Sequence, residues 1–171
     1  MAIPPMEQNL KELLSALNKH HVKYVIIGGY AVFVHAQPRM TKDLDVFIES
    51  SPTNALAIYE ALAEFGAPLA QFTVEDFHTP TICARFGNPP YCFDILQQIA
   101  GIDFATVYTN SEELLIDGDL PARYISAADL ITNKLASGRL QDLADVEAIR
   151  HRQRAVKSQW QLFIKKSPPH N

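Results

Sequence analysis

Residues 25–48 read VIIGGYAVFVHAQPRMTKDLDVFI, and the rest of the chain is interpreted from this stretch outward. Val25-Ile26-Ile27 is a β-branched run of the kind that forms a buried strand, and Gly28-Gly29 turns the chain out of it. Tyr30 to Ala36 then reads as a short apolar helix, and Asp43 to Ile48 as a second strand. Side chains alternate along a strand, so Asp43 and Asp45 share one face while Leu44, Val46 and Ile48 take the other. Two carboxylates side by side on an apolar strand are costly unless a cation sits between them. All-oxygen donors suit a hard cation such as Mg²⁺. Bare N–H groups where glycines open a helix suit phosphate. Metal donors beside phosphate donors fit a bound nucleoside triphosphate.

With 171 residues, 47% of them hydrophobic and 20% charged, the composition is that of one ordinary globular domain. The net charge of −4 gives no overall reason to expect nucleic acid, but the charge is unevenly spread. Residues 1–147 hold 9 Lys/Arg against 19 Asp/Glu, and residues 148–171 hold 6 Lys/Arg and no acid. The basic end is either a phosphate contact or a solvated helix end. The N-terminus lacks a basic-then-apolar leader pattern, and no apolar run approaches a membrane span, so a cytoplasmic protein is expected. Cys83 and Cys92 make no ligand pattern and are expected to be free, buried thiols.

Around the central stretch, Met6, Leu10, Leu13, Leu14 and Leu17 have helical spacing. Ser51-Pro52 starts a helix that Gly66 ends, with Leu56, Ile58, Tyr59, Leu62 and Phe65 as the expected buried stripe. Val74 to Phe77 fits a single helical turn. Thr81 to Phe86 and Tyr91 to Leu96 read as a hairpin around Gly87-Asn88-Pro89-Pro90. A four-residue loop would set Phe86 opposite Tyr91 and Cys83 opposite Asp94, with Thr81, Cys83, Arg85, Cys92 and Asp94 on one face. Asp94 is anomalous between Phe93 and Ile95 in a core strand, which marks it as a third candidate carboxylate. Asp103 to Thr109 reads as a short helix, and residues 114–116 and 122–125 as strands around an Asp-Gly turn. Ser126 starts a helix that Gly138 breaks. A further helix runs from Leu140 to about Arg154, burying Leu143, Val146 and Ile149, and residues 160–164 suggest a last packed segment.

Taken together, Ile27-Gly28-Gly29, a thirteen-residue gap, Asp43-Leu44-Asp45-Val46 and the later Phe93-Asp94-Ile95 resemble the signature of the polymerase-β-like nucleotidyltransferase superfamily. Arg39-x-Thr41-x-Asp43-x-Asp45 is similar to its minimal members, related to abortive-infection toxins and antibiotic-modifying enzymes. Lys134 to Arg139, with Asp142 and Asp145 beyond, is similar to the C-terminal helices of that group. The resemblance spans roughly residues 23–149.

This resemblance implies an α/β (α+β) nucleotidyltransferase fold: a mixed twisted sheet, helices mainly on one face, and C-terminal helices. Residues 1–166 would form one domain, with a core over about 23–125, helices over 126–166 and a disordered tail at 167–171. Asp43, Asp45 and Asp94 would hold two Mg²⁺ ions, with Asp94 also taking the proton from the attacking hydroxyl. Gly28, Gly29, Arg39, Thr41 and Lys134 would contact the NTP, the glycines by letting phosphates approach where no Cβ stands. For Arg39 a solvated loop charge and for Lys134 a plain surface position are the bland readings. Arg139 and Asp142 fit a helix ion pair. The geometry requires the first two strands to run antiparallel. The implied reaction moves an NMP from an NTP to a hydroxyl of a small molecule, a tRNA end or a protein. The last two acceptors would suit the toxin-like part of a two-gene module, and a homodimer is implied by resemblance alone. The contrasting reading is a non-catalytic binding module that keeps the fold and acts through a protein partner.

Overall fold

A computed structural model describes residues 6–36, 41, 43–79, 83–88 and 91–166, with backbone alone for Tyr91 and residues 160–166. Helix α1 (Gln8–Lys19) buries Leu10, Leu13, Leu14, Ala16 and Leu17, the stripe its spacing dictates. Strand β1 (Tyr24–Ile27) is buried throughout and leads into α2 (Gly28–His35). Strand β2 (Leu44–Ile48) follows, then α3 (Pro52–Phe65). The Ser51 hydroxyl accepts from the Asn54 N–H, and Gly66 closes α3 at φ 86°, a conformation that favours glycine. After a 3-10 turn at Glu75–Phe77 come β3 (Cys83–Asn88), β4 (Tyr91–Leu96), α4 (Phe104–Asn110), β5 (Glu112–Ile116) and β6 (Leu120–Tyr124). The chain then forms α5 (Ala127–Ser137), capped by Ser126 and ended by Gly138, and α6 (Leu140–Lys166).

The strands form one mixed six-stranded sheet in the order β3-β4-β2-β1-β6-β5. β1 and β2 are antiparallel, as the site geometry demands, and Ile27 lies opposite Asp45. β2 and β4 are parallel, which sets Asp45 beside Asp94. Helices α1 and α3 pack on each other and cover the Leu44/Val46/Ile48 face, where Phe65 meets Phe93 edge-on with ring centroids 5.7 Å apart. On the opposite face Phe104 of α4 packs edge-on against Phe47 at 5.2 Å. α5 and α6 pack together and against α2, near the start of β2. The architecture is the mixed α+β arrangement read from the sequence.

Three expectations are corrected. The β3–β4 hairpin closes through residues 89–90 alone, so Phe86 faces Phe93 and Arg85, not Cys83, faces Asp94. The slip is two residues, and an even slip keeps every side chain on its expected face. Thr81 lies outside the described residues. Two apolar positions differ: Leu56 and Leu143 are 49% and 42% exposed, their places in the core taken by Ala55 and Ala61 in α3 and by Asp142 and Asp145 in α6. Finally, α6 is a single 27-residue helix with no separate last segment, because no Gly or Pro interrupts residues 140–166. Residues 153–159 are exposed on every side. Among the described residues no helix is long and apolar enough to cross a membrane.

Candidate active site

The site lies where β1 ends and β2 begins. Gly28 adopts φ +61°, and a Cβ added there would stand 1.9 Å from Oδ2 of Asp45. A Cβ on Gly29 would stand 2.3 Å from Oγ1 of Thr41. The Gly29 N–H donates to the Asp45 carboxylate. The glycine pair is therefore required by the protein itself. Asp45 and Thr41 stand where a Cβ would be, and glycine is what lets both approach the backbone.

Asp43 precedes β2, Asp45 is its second residue, and Asp94 stands beside Asp45 on β4. From β3, Arg85 reaches across: Nη2 donates to Oδ2 of Asp43 at 2.9 Å and Nη1 lies 3.4 Å from Oδ2 of Asp94. The side chains of Arg85 and Asp43 are about half exposed, whereas that of Asp94 is only 15% exposed. Oδ1 of Asp94 is buried with no hydrogen-bond partner among the described residues. Burial, then the charges of Asp94 and Asp43, push the Asp45 carboxyl up to about 6, against the pull of the Gly29 N–H and the Lys134 ammonium. Burial also raises Asp94, opposed by Arg85 and assisted by Asp43. Cys83 and Cys92 are free, as expected, but Cys83 is exposed. Its thiol is pushed up by partial burial and by the charges of Asp94 and Asp45.

The donor set fits a hard cation on two observations. An orphaned buried carboxylate oxygen is costly unless something positive meets it, and the neighbouring charges of Asp94 and Asp43 raise Asp45 here. Among the described residues no three His, Cys, Asp or Glu side chains are gathered closely enough to hold a metal as they stand. The guanidinium of Arg85 is the positive group that bridges two of the carboxylates.

Lys134 is neither a surface lysine nor an unoccupied one. Its side chain is 6% exposed, and Nζ lies 2.8 Å from Asp142 and 2.7 Å from Asp145, both 3% exposed. Arg139 closes on Asp142 from outside at 2.6 Å, the helix ion pair read from the i, i+3 spacing. Burial alone would raise the Asp142 carboxyl, but hydrogen bonds from Arg139, Lys134 and Ser137 outweigh it and hold it at about 2. This network joins α5 to α6, and its lysine is close enough to Asp45 to ease that carboxylate's ionisation. Sequence reasoning did not anticipate the burial of Asp142 and Asp145. The available signal was their i, i+3 spacing beside Val146 and Ile149 on a face that must also receive Lys134. Thr41 sits at the site, its hydroxyl donating to the Asp43 carbonyl at 3.3 Å. Arg39 lies outside the described residues.

Residues 5–155 match the family model described as a nucleotidyltransferase of unknown function, DUF6036. The chain belongs to this nucleotidyltransferase family. No curated protein sequence matches it. Solved structures share the nucleotidyltransferase's fold at low identity. The lincomycin-bound lincosamide antibiotic adenylyltransferase LnuA aligns with TM-score 0.56 and 16% identity over 85% of this chain and 96% of that one. The antibiotic-resistance factor ANT(2'')-Ia in solution aligns with TM-score 0.53 and 12% identity over 92% and 94%. ANT(2'')-Ia in complex with adenylyl-2''-tobramycin gives TM-score 0.53 and 12% identity over 88% and 96%.

Proposed function

We propose that this nucleotidyltransferase moves a nucleoside monophosphate from an NTP to a hydroxyl group with the help of Mg²⁺. The observation that carries the reading is that Asp45 and Asp94 pair across β2 and β4 while Arg85 links Asp94 to Asp43 just before β2, with one Asp94 oxygen buried and without a partner among the described residues. Asp43 and Asp45 would hold the divalent cation that accompanies the triphosphate, and Asp94 would complete the site of a second one. When bound, those cations stabilise the attacking and leaving oxygens of an in-line displacement at the α-phosphorus. Asp94 takes the proton of the acceptor hydroxyl, a role that its raised affinity for protons suits. Thr41 and the Gly28-Gly29 backbone shape the wall on which the triphosphate lies. Lys134, held by Asp142 and Asp145, adds positive charge behind Asp45.

A small-molecule hydroxyl is the acceptor we favour, and adenylyl the group transferred. The support is the fold shared with an adenylyltransferase bound to lincomycin and with a protein bound to an adenylylated tobramycin. A tRNA end is the second reading, favoured by the basic, fully exposed stretch of α6. The intact carboxylate trio argues against a non-catalytic binding module.

The test uses each α-labelled NTP with Mg²⁺ and, separately, an aminoglycoside and lincosamide panel and total tRNA, for wild type and Asp94→Asn. As the base, Asp94 is dispensable for holding NTP·Mg²⁺ but needed for transfer. The variant should bind with nearly unchanged affinity and transfer about 10²-fold more slowly. Lowered stability with an unchanged rate per folded molecule would remove Asp94 from the chemistry.

A further inference from the structure

Three carboxylates and one guanidinium share this face of the sheet, and the guanidinium is placed where it cannot coexist with a metal on the same oxygens. Arg85 uses Oδ2 of Asp43 and Oδ2 of Asp94. Each of those oxygens already accepts from the guanidinium. A divalent ion entering between Asp43 and Asp94 would meet a positive group at contact distance, where repulsion is strongest.

The way Arg85 is held suits displacement. Its side chain is 55% exposed, and ion pairs at that exposure are weak because water competes for both partners. It stands on β3, the end strand of the sheet, so its long side chain can turn to solvent without disturbing a neighbour on that side. The nearby cation of the α5–α6 seam, Lys134, is buried between Asp142 and Asp145 and is not available to replace it. The other Asp94 oxygen, Oδ1, is buried and has no hydrogen-bond partner among the described residues, so it is uncompensated while Arg85 occupies Oδ2.

We propose that Arg85 is a tethered competitor for the metal position: its guanidinium bridges Asp43 and Asp94 in the metal-free protein and swings out as a divalent cation enters. It thereby lowers the affinity of the site for metal alone and lets the triphosphate, which brings its own negative charge, complete loading. The inference rests on the metal-dependent reading of the site.

Mn²⁺ is the probe, with free ion counted by electron paramagnetic resonance in titrations of wild type, Arg85→Gln and Arg85→Lys without nucleotide. Arg85→Gln should bind Mn²⁺ about fivefold tighter, equivalent to about 1 kcal/mol. Arg85→Lys keeps the charge without the fork that spans two carboxylates and should fall between Arg85→Gln and wild type. In urea denaturation without metal, Arg85→Gln should be less stable than wild type and should recover the difference when Mn²⁺ is added. A merely structural Arg85 would instead lose stability and metal affinity together. Equal or weaker Mn²⁺ binding by Arg85→Gln, beside a wild type that binds, overturns the inference and leaves the metal reading standing. Absence of Mn²⁺ binding in wild type and both variants overturns both. Binding by Arg85→Gln but not by wild type is the strongest support.

Discussion

Replacing Gly28 with alanine tests the central geometry of the site with one methyl group. The first cost is conformational: at φ +61° an L-residue with a Cβ costs about 1–2 kcal/mol relative to glycine. The second is steric. The new Cβ would lie 1.9 Å from Oδ2, 2.7 Å from Cγ and 3.0 Å from Cβ of Asp45, so the carboxylate cannot stay. Moving it breaks the bond from the Gly29 N–H, and a hydrogen bond to a charged group contributes roughly 1.5–3 kcal/mol. Gly28→Ala should therefore cost about 3–5 kcal/mol. Gly66→Ala is the matched control, because Gly66 has φ +86° and nothing within 4 Å of its absent Cβ. That variant should show the backbone cost alone, about 1–2 kcal/mol. In an Asp45→Ala background the two closest atoms are gone, and the cost of Gly28→Ala should fall toward the control. Urea denaturation with EDTA present measures all three, and a double-mutant cycle isolates the coupling. If Gly28→Ala costs no more than Gly66→Ala, or the same with and without the Asp45 carboxylate, the packing of that carboxylate on the glycine is wrong.

Two further predictions concern charge. Asp45 ionises at about 6 in the folded protein against an ordinary 3.8, so folding favours its protonated form. The destabilisation from ionised Asp45 is thus absent below about 3.8, grows between the two values and is complete above about 6. Metal-free wild type should gain stability relative to Asp45→Asn as pH falls from 7 toward 4, by a total on the order of 3 kcal/mol. Parallel pH profiles of the two proteins would refute this. Lys134→Met should cost about 3–5 kcal/mol, since it removes the ammonium that two buried carboxylates share. Arg139→Ala, whose side chain is 77% exposed, should cost about 1 kcal/mol or less. Urea titration compares them, and a larger loss for Arg139→Ala would contradict the buried network.

Much of this site was legible in the chain because its signals are local. The strand, glycine pair, helix and second strand lie within residues 25–48, and their periods and turn residues leave few alternatives. Asp94 stood out because a carboxylate between Phe93 and Ile95 contradicts its surroundings. The partner of Asp94 depended on register, and register depended on whether the Pro89-Pro90 turn takes two residues or four. Alternation guarantees the face of a strand residue but not which residue it faces, so Arg85 was placed on the right side and two positions from its true neighbour. The purpose of the glycines was illegible for a different reason. Gly28 answers to a carboxylate seventeen positions later, and sequence shows a missing Cβ without showing what occupies its volume. The Arg139–Asp142 pair was legible, but the burial of Asp142 and Asp145 was not: an acidic residue on a helix is usually solvated, and only the approach of Lys134 from α5 makes burial tolerable.

The seam formed by Lys134, Asp142 and Asp145 also has a mechanical side. It grips α6 near its first turns, packing continues through Ile149 to Arg152, which donates to the Ala36 carbonyl, and about 21 Å of helix runs on to Lys166 at 1.5 Å per residue. Beyond Arg152 the described side chains of that helix are exposed. It is a rigid rod clamped at one end. A rotation of about 5° at the clamp would carry the far tip roughly 1.8 Å, by simple proportion to the length of the rod. The clamp's lysine is also felt at Asp45, so the ion pair that anchors the basic end of α6 belongs electrostatically to the carboxylate site as well.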